Sequence, residues 1–201
     1  MSYNDTPRII CKHLDEVCHS MLDQMVEFKV RDDGGFLADY LAYKTSLGKI
    51  YSPAIEEEVA NKARTYLVID SEAQELAAYF TLKAGLVGFK RNRSLLSKSF
   101  DAMPGIEITN FAVNEIYKQA HESISELGYM IFRDFILHKS EEAQRIIGVE
   151  ILYIYALPRK RLIERYEEYG FAKLIPFQQK YLERHFRPRY DQGCVFMYQN
   201  L

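Results

Sequence analysis

Five histidines and three cysteines are the side chains best equipped to act as nucleophiles or metal ligands, and their spacing assembles no working set of them. His13, His19, His121, His138 and His185 have neither triad nor metal-ligand spacing, and read as surface or helix-face residues. Cys11, Cys18 and Cys194 lie beside no histidine pair and build no disulfide framework, so no metal is expected and a reducing compartment fits. Tyrosine is abundant, at 15, and tryptophan is absent. Most of these rings read as half-buried faces rather than a stacking platform for bases. With an ordinary pKa of about 10, a tyrosine hydroxyl stays protonated at neutral pH and can donate to a developing anion. Tyr166 shares a helical face with Leu162 and Ile163, and on spacing alone it faces a core. Glu107 stands early in an apolar strand. On residue type alone it reads as an edge glutamate.

The elements around Tyr166 are the clearest in the chain. Gly148 precedes an apolar, β-branched run, Val149 to Ala156, which Pro158 breaks. An amphipathic segment follows from Arg159 to Tyr169, Gly170 stops it, and Phe171 opens another apolar stretch. That is strand, helix, glycine cap and strand, with both strands expected in one sheet. Upstream, Leu127 to Ile147 has the apolar face of one long helix. "IEITNFAVN", introduced by Met103-Pro104-Gly105, reads as a central strand. "TYLVID" and "ELAAYFTLKAGLVGF", joined by "SEAQ", read as an antiparallel hairpin.

The first third reads as mostly helical. Arg8 to Cys11 is a short strand, and helical spacing then runs from Leu14 to Phe28. Asp32-Asp33-Gly34-Gly35 is a turn. A second helix is expected from Phe36 to Ser46, closing near Gly48. Ser52 is an N-cap ahead of Pro53, with a helix to about Ala63. Glu115 to Glu126 is polar, and Lys173 to Arg189 reads as irregular and basic. Gly193 to Gln199 is a final strand.

A chain of 201 residues with formal charge −2 suits one soluble domain. The charge gives no general case for nucleic acid. Lys90, Arg91 and Arg93, Arg159 to Arg161, and Arg184, Arg187 and Arg189 read as solvated surface, although a basic lip could hold an acidic acceptor. The opening "MSYNDTPRII" has no apolar leader, and no run reaches membrane-spanning length, so the expected location is the cytoplasm, without membrane contact.

From Thr65 to Gln199 the chain resembles the GNAT superfamily of N-acetyltransferases. "TYLVIDSEAQELAAYFTLKAG" is similar to the family's hairpin ahead of the cofactor strand, and "LIERYEEYGF" to its late helix. With "IEITNFAV" and the long helix in the same order, the resemblance implies an α/β fold with a central mixed sheet flanked by helices. It implies a single domain over 1–201, with an acceptor-side helical region at 1–64 and an acetyl-CoA-binding core at 65–201. Two departures stand out. Where the family has Arg/Gln-x-x-Gly-x-Gly/Ala, this chain has Ser123-Ile124-Ser125-Glu126-Leu127-Gly128, keeping only the last glycine. Arg159 stands where an asparagine is common.

The resemblance implies acetyl transfer from acetyl-CoA to a primary amine by direct attack, without a covalent relay. Tyr166 then corresponds to the general acid and Glu107 to the base. Phe111, Ala112 and Val113 would pair their backbone with the pantetheine arm. Ser123, Ile124, Ser125, Glu126, Leu127 and Gly128 would aim backbone N–H groups at the pyrophosphate. His121 and Lys118 lie near that loop, but solvation is the favoured reading for both. Asn110 is a weaker polar candidate and Tyr169 a structural neighbour. Two alternatives share the fold: a catalytically weak binding or regulatory protein, and a toxin-like enzyme acetylating aminoacyl-tRNA, the one nucleic-acid partner retained. Homodimers are frequent in the family.

Overall fold

The computed structural model describes residues 8–31, 35–89, 101–185 and 193–201. Residues 32–34 of the acidic-glycine turn, the basic stretch from Lys90 to Ser99, and Arg187 and Arg189 lie outside the described residues.

β1 (Ile9–His13) passes directly into α1 (Leu14–Glu27), where Leu14, Met21 and Met25 recur at helical spacing and are buried. Each such side chain contributes about 1.5–3 kcal/mol by leaving water. α2 (Phe36–Leu41) is shorter than the expected helix to Ser46. Tyr43–Lys44 (β2) and Ile50–Tyr51 (β3) form a small hairpin instead. Gly48 adopts φ +74°, the Thr45 N–H donates to the Lys49 carbonyl at 2.8 Å, and the Tyr43 and Tyr51 rings meet edge-on at 5.3 Å. Turn chemistry and a cross-strand aromatic pair outweigh the helical pattern there. α3 (Pro53–Val59) starts as expected, with Ser52 Oγ accepting from the Ile55 N–H at 3.1 Å. It ends short of Ala63, because Asn61 turns left-handed at φ +55°.

β4 (Arg64–Asp70) and β5 (Glu75–Phe89) form the expected antiparallel hairpin. β6 (Asp101–Val113) begins ahead of Met103. The polar stretch after it contains α4 (Glu115–Ala120), capped by the Asn114 side chain, which accepts from the Ile116 N–H and donates to the Leu76 carbonyl at 2.8 Å.

The expected long helix is three consecutive helical segments: α5 (Leu127–Ile131), a π-helical stretch (Phe132–Leu137) and α6 (His138–Ile147). Its buried positions, Leu127, Ile131, Phe132, Ile136 and Ser140, form one buried face in four-residue steps (127 to 131, 132 to 136, 136 to 140) that runs through all three segments. Ser140, fully buried, donates to the Ile136 carbonyl at 2.8 Å. Gly148 closes α6 in the left-handed conformation, φ +67°.

β7 (Ile151–Ala156), α7 (Lys160–Glu168) and β8 (Ala172–Lys173) give the expected strand, helix and strand, with Gly170 at φ +94°. Ile163 and Tyr166 are buried and Leu162 is half-buried. The segment expected to be irregular holds α8 (Pro176–His185), begun by a proline, with Leu182 buried. β9 (Val195–Asn200) closes the chain.

Seven strands form one mixed sheet in the order β1-β4-β5-β6-β7-β9-β8. β6 and β7, joined through helices, run parallel, while the β4–β5 hairpin is antiparallel. β7 and β8 share the sheet without touching, because β9 lies between them, antiparallel to both. Packing divides the chain into two compact units that have β5 and β6 in common. One is Met1–Leu82 with Asn110–Ile131; the other is Lys83–Thr109 with Phe132–Leu201. The first unit's core joins α1 and α2 to β4 and β5 through Met25, Phe28, Leu41, Leu67 and Tyr79. The second has a core of Val87, Ile151, Tyr153, Leu182 and Phe196, which α8 helps to close.

Candidate active site

The ladder between β6 and β7 is brief. It runs from Gly105 opposite Ile151 to Glu107 opposite Tyr153 and ends there. β7 continues to Ala156, still paired with β9 as far as Val195. β6 continues to Val113. A parallel pair that stops halfway along both strands leaves backbone donors and acceptors on one strand edge, the kind of edge an extended ligand can extend. Phe111, Ala112 and Val113 lie on that continuation; Ala112 is buried and its neighbours are half-buried.

In the first unit, the stretch from Ser123 to Gly128 connects α4 to α5. Ile124 donates its N–H to the His121 carbonyl at 3.1 Å, and Ser125 donates to the Ser123 carbonyl at 3.1 Å. Glu126 adopts φ +58°, a left-handed conformation uncommon for a side-chain-bearing residue. The helix begins immediately after it, with Tyr129 and Met130 donating to the Glu126 carbonyl. A left-handed residue followed by a right-handed one makes successive N–H groups converge into an anion-binding nest. The N–H groups of Leu127 and Gly128, in the first turn, have no carbonyl partner within the helix. The turn therefore has the backbone shape of an anion-binding nest. Ser123, Ser125 and Glu126 are exposed, Ile124 and Gly128 half-buried, and Leu127 buried.

His121 is not a solvated neighbour of that loop. Its Nε2 pairs with Glu75 Oε2 at 2.9 Å, and its ring stacks on Tyr117 at 4.2 Å. Tyr117, buried, donates its hydroxyl to Asp70 Oδ2 at 2.9 Å. Asp70 Oδ1 also accepts the N–H groups of Glu72 and Ala73. Burial pushes the Asp70 carboxyl up, but donation from Ala73, Tyr117 and Glu72 outweighs it and holds the carboxyl below its usual range. Burial first, and then the Asp70 carboxylate, push the Tyr117 hydroxyl well above its ordinary value. Lys118 is exposed. The sequence offered a sign of this network in Asn114-Glu115, a cap followed by an acidic first turn, which marks α4 and so places Tyr117.

In the second unit, Tyr166 is 6% exposed within an aromatic group. Its ring meets Tyr169 at 6.1 Å and Phe171 at 5.6 Å, both edge-on, while Tyr169 stacks on Phe132 at 4.9 Å. Tyr169 has the structural place expected of it. The Tyr166 hydroxyl has no hydrogen bond with any described residue. Burial, and secondarily Tyr169, push its pKa far above the ordinary tyrosine value, so it is fully protonated across the physiological range. Glu107 is also buried, 9% exposed, and sits at the last rung of the β6–β7 ladder. Its Oε2 lies 3.4 Å from the hydroxyl of Tyr153, its ladder partner. Tyr153 is the residue that sequence reasoning passed over: within an apolar strand run it looked like any core aromatic. Asn110 is buried on the same strand. Among the described residues no group of three or more His, Cys, Asp or Glu could hold a metal ion. No described helix is long and apolar enough to cross a membrane.

No family model matches the chain, and no curated protein matches it in sequence. Solved structures do match. A bacterial toxin superposes with a TM-score of 0.63 at 16% identity, over 97% of this chain and 92% of that one. A tyrosine-to-phenylalanine mutant of the toxin AtaT, bound to the C-terminus of the antitoxin AtaR and acetyl-CoA, matches with a TM-score of 0.58 at 12% identity, over 96% and 92%. AtaT complexed with acetyl-methionyl-tRNAfMet matches with a TM-score of 0.57 at 16% identity, over 90% of this chain and 100% of that one. The fold is the GNAT-like one the sequence implied: a mixed seven-stranded sheet flanked by helices.

Proposed function

We propose that this protein is an acetyl-CoA-dependent N-acetyltransferase, and that its acceptor is the α-amino group of an aminoacyl-tRNA. The early end of the β6–β7 ladder, at Glu107 and Tyr153, carries the first half of the reading. It frees a strand edge of the type that takes a pantetheine arm as an added strand. The acceptor rests on similarity of fold to AtaT, which has been seen complexed with acetyl-methionyl-tRNAfMet.

In this reading the cofactor's pyrophosphate takes the N–H groups at Glu126, Leu127 and Gly128, and its amide groups pair with the backbone of Phe111, Ala112 and Val113. The neutral amine attacks the thioester carbonyl carbon. Glu107 accepts the proton that the attacking nitrogen must lose. The tetrahedral intermediate then expels the CoA thiolate, forming the amide. By the family resemblance, Tyr166 is assigned as the donor to the sulfur as it gains charge. The burial that keeps Tyr166 protonated also makes it a weak acid. Its contribution is a hydrogen bond to the developing thiolate, with the thiolate's final proton coming from solvent. Preorganised donors of this kind are worth about 10²–10³ in rate. Any nucleic acid must be held by local basic side chains, because the chain as a whole carries a formal charge of −2.

Two measurements test the reading in sequence. Calorimetric titration with acetyl-CoA comes first; no heat at millimolar cofactor removes the enzyme reading and leaves a binding module. Transfer of labelled acetyl to charged tRNA, uncharged tRNA and free amino acids comes second. Label on free amines but not on charged tRNA removes the acceptor assignment and leaves the acetyltransferase.

A further inference from the structure

The ring of Tyr153 occupies space that two glycines vacate. On β6, a Cβ built at Gly105 would lie 3.0 Å from Tyr153 Cδ1, and 2.7 Å from Ile151 Cγ1. On β5, a Cβ built at Gly85 would lie 1.8 Å from the Tyr153 hydroxyl and 2.9 Å from Cζ. With the strand order β5-β6-β7, the side chain leaves β7, crosses β6 over Gly105 and ends over Gly85. Any side chain at either glycine would close that path. The ring is held in it from the other side, packed 5.5 Å from Phe196 in the core that Leu182 joins. A rigid aromatic laid across two strands is a costly way to fill space, since glycine weakens a strand interior. What the arrangement delivers is a hydroxyl beside the buried Glu107 carboxylate.

We infer that Tyr153 is the positioning residue for Glu107, admitted to its place by Gly85 and Gly105, and that its hydroxyl orients the Glu107 carboxylate through Oε2. The inference rests on the reading of Glu107 as the base. At 3.4 Å the contact is at the long end for a hydroxyl–carboxylate hydrogen bond. A hydroxyl donating to a carboxylate favours its charged form, so losing that donor must raise the carboxyl's proton affinity.

The test is a carboxyl ¹³C NMR titration of the full chain labelled at glutamate, with the Glu107 signal assigned by its loss in Glu107→Gln. In Tyr153→Phe, which keeps the ring and its packing, the Glu107 midpoint is expected to rise by about one pH unit, a tenfold gain in proton affinity. Gly85→Ala, whose Cβ must displace the hydroxyl, is expected to give the same rise, and to add none in the Tyr153→Phe background. An unmoved midpoint in folded Tyr153→Phe or Gly85→Ala overturns the positioning role. Acetyl transfer to charged tRNA, run on Glu107→Gln, judges the underlying reading separately. Full activity there removes the base, and with it the meaning of the positioning. Loss of activity together with an unmoved midpoint removes the positioning alone.

Discussion

Tyr117 and Tyr166 are the same residue in the same state, one in each compact unit, and they differ in what their hydroxyls do. Both rings are buried, and burial is the main cause that pushes both hydroxyls far above the ordinary tyrosine value. Tyr117 gives its proton to Asp70, a carboxylate that also ties down the β4–β5 turn. Tyr166 gives its proton to no described residue. Tyr117's hydroxyl is committed to holding α4 against the β4–β5 turn, while Tyr166's is left available to solvent or to a ligand.

The sharpest way to break that comparison is to remove both hydroxyls. Tyr166→Phe deletes a donor with no partner among the described residues, so unfolding stability should change by less than about 0.5 kcal/mol, while acetyl transfer falls about 10²-fold. Turnover measured beside urea denaturation checks both halves; unchanged turnover removes Tyr166 from the reaction. Tyr117→Phe should do the reverse. It deletes a donor to a buried carboxylate and should cost about 1.5–3 kcal/mol of stability, with near-normal turnover per folded molecule. A stable, inactive Tyr117→Phe would invert the comparison.

The Tyr117–Asp70 contact also has a pH signature. The Asp70 carboxyl is held below its unfolded value, so the stability it contributes is present above the unfolded pKa and is lost as pH falls through the lower folded pKa. Wild type and Tyr117→Phe should therefore differ most at neutral pH and converge below about pH 4. Urea midpoints at neutral and acid pH measure this; a gap that stays constant would mean that Asp70 is not the partner that matters.

Much of this arrangement was legible in the sequence, and the misses have physical causes. Ser52-Pro53, Gly148 and Gly170 mark element ends by local chemistry, and all three did so correctly. The face carrying Ile163 and Tyr166 follows from spacing within one short helix. The π-helical stretch did not follow, because its buried positions, Phe132 and Ile136, keep the four-residue step of an ordinary α-helix. α8 was missed because one fully buried residue, Leu182, anchors a helix that is otherwise polar, leaving Pro176 as its only local mark. Tyr153 and its glycines were invisible for a deeper reason. Gly85, Gly105 and Tyr153 are brought together by strand order, and no local pattern reports a side chain lying across two neighbouring strands.

Ser52 is another committed group of the first unit. Its hydroxyl accepts from the Ile55 N–H and donates to the Leu41 carbonyl at 2.6 Å, joining the start of α3 to the end of α2. Ser52→Ala should cost about 1 kcal/mol, seen as a shifted urea midpoint with acetyl-CoA affinity unchanged.

The smallest effect probes the N–H groups of Leu127 and Gly128 in the first unit. Glu126 shapes that turn through its left-handed backbone, yet its carboxylate opposes the anion the turn is proposed to hold. The two contributions separate by substitution. Glu126→Gln keeps the strained backbone and removes the charge, so acetyl-CoA should bind about 2–3-fold tighter at low salt, with the gain fading as salt screens the exposed carboxylate. Glu126→Gly removes the charge and relieves a left-handed conformation that costs a side-chain-bearing residue roughly 1–2 kcal/mol, so it should bind at least as tightly and unfold later. If calorimetry instead finds Glu126→Gln weaker or unchanged at low salt, the pyrophosphate does not sit at this turn. The donors there would then be ordinary helix-end groups facing water.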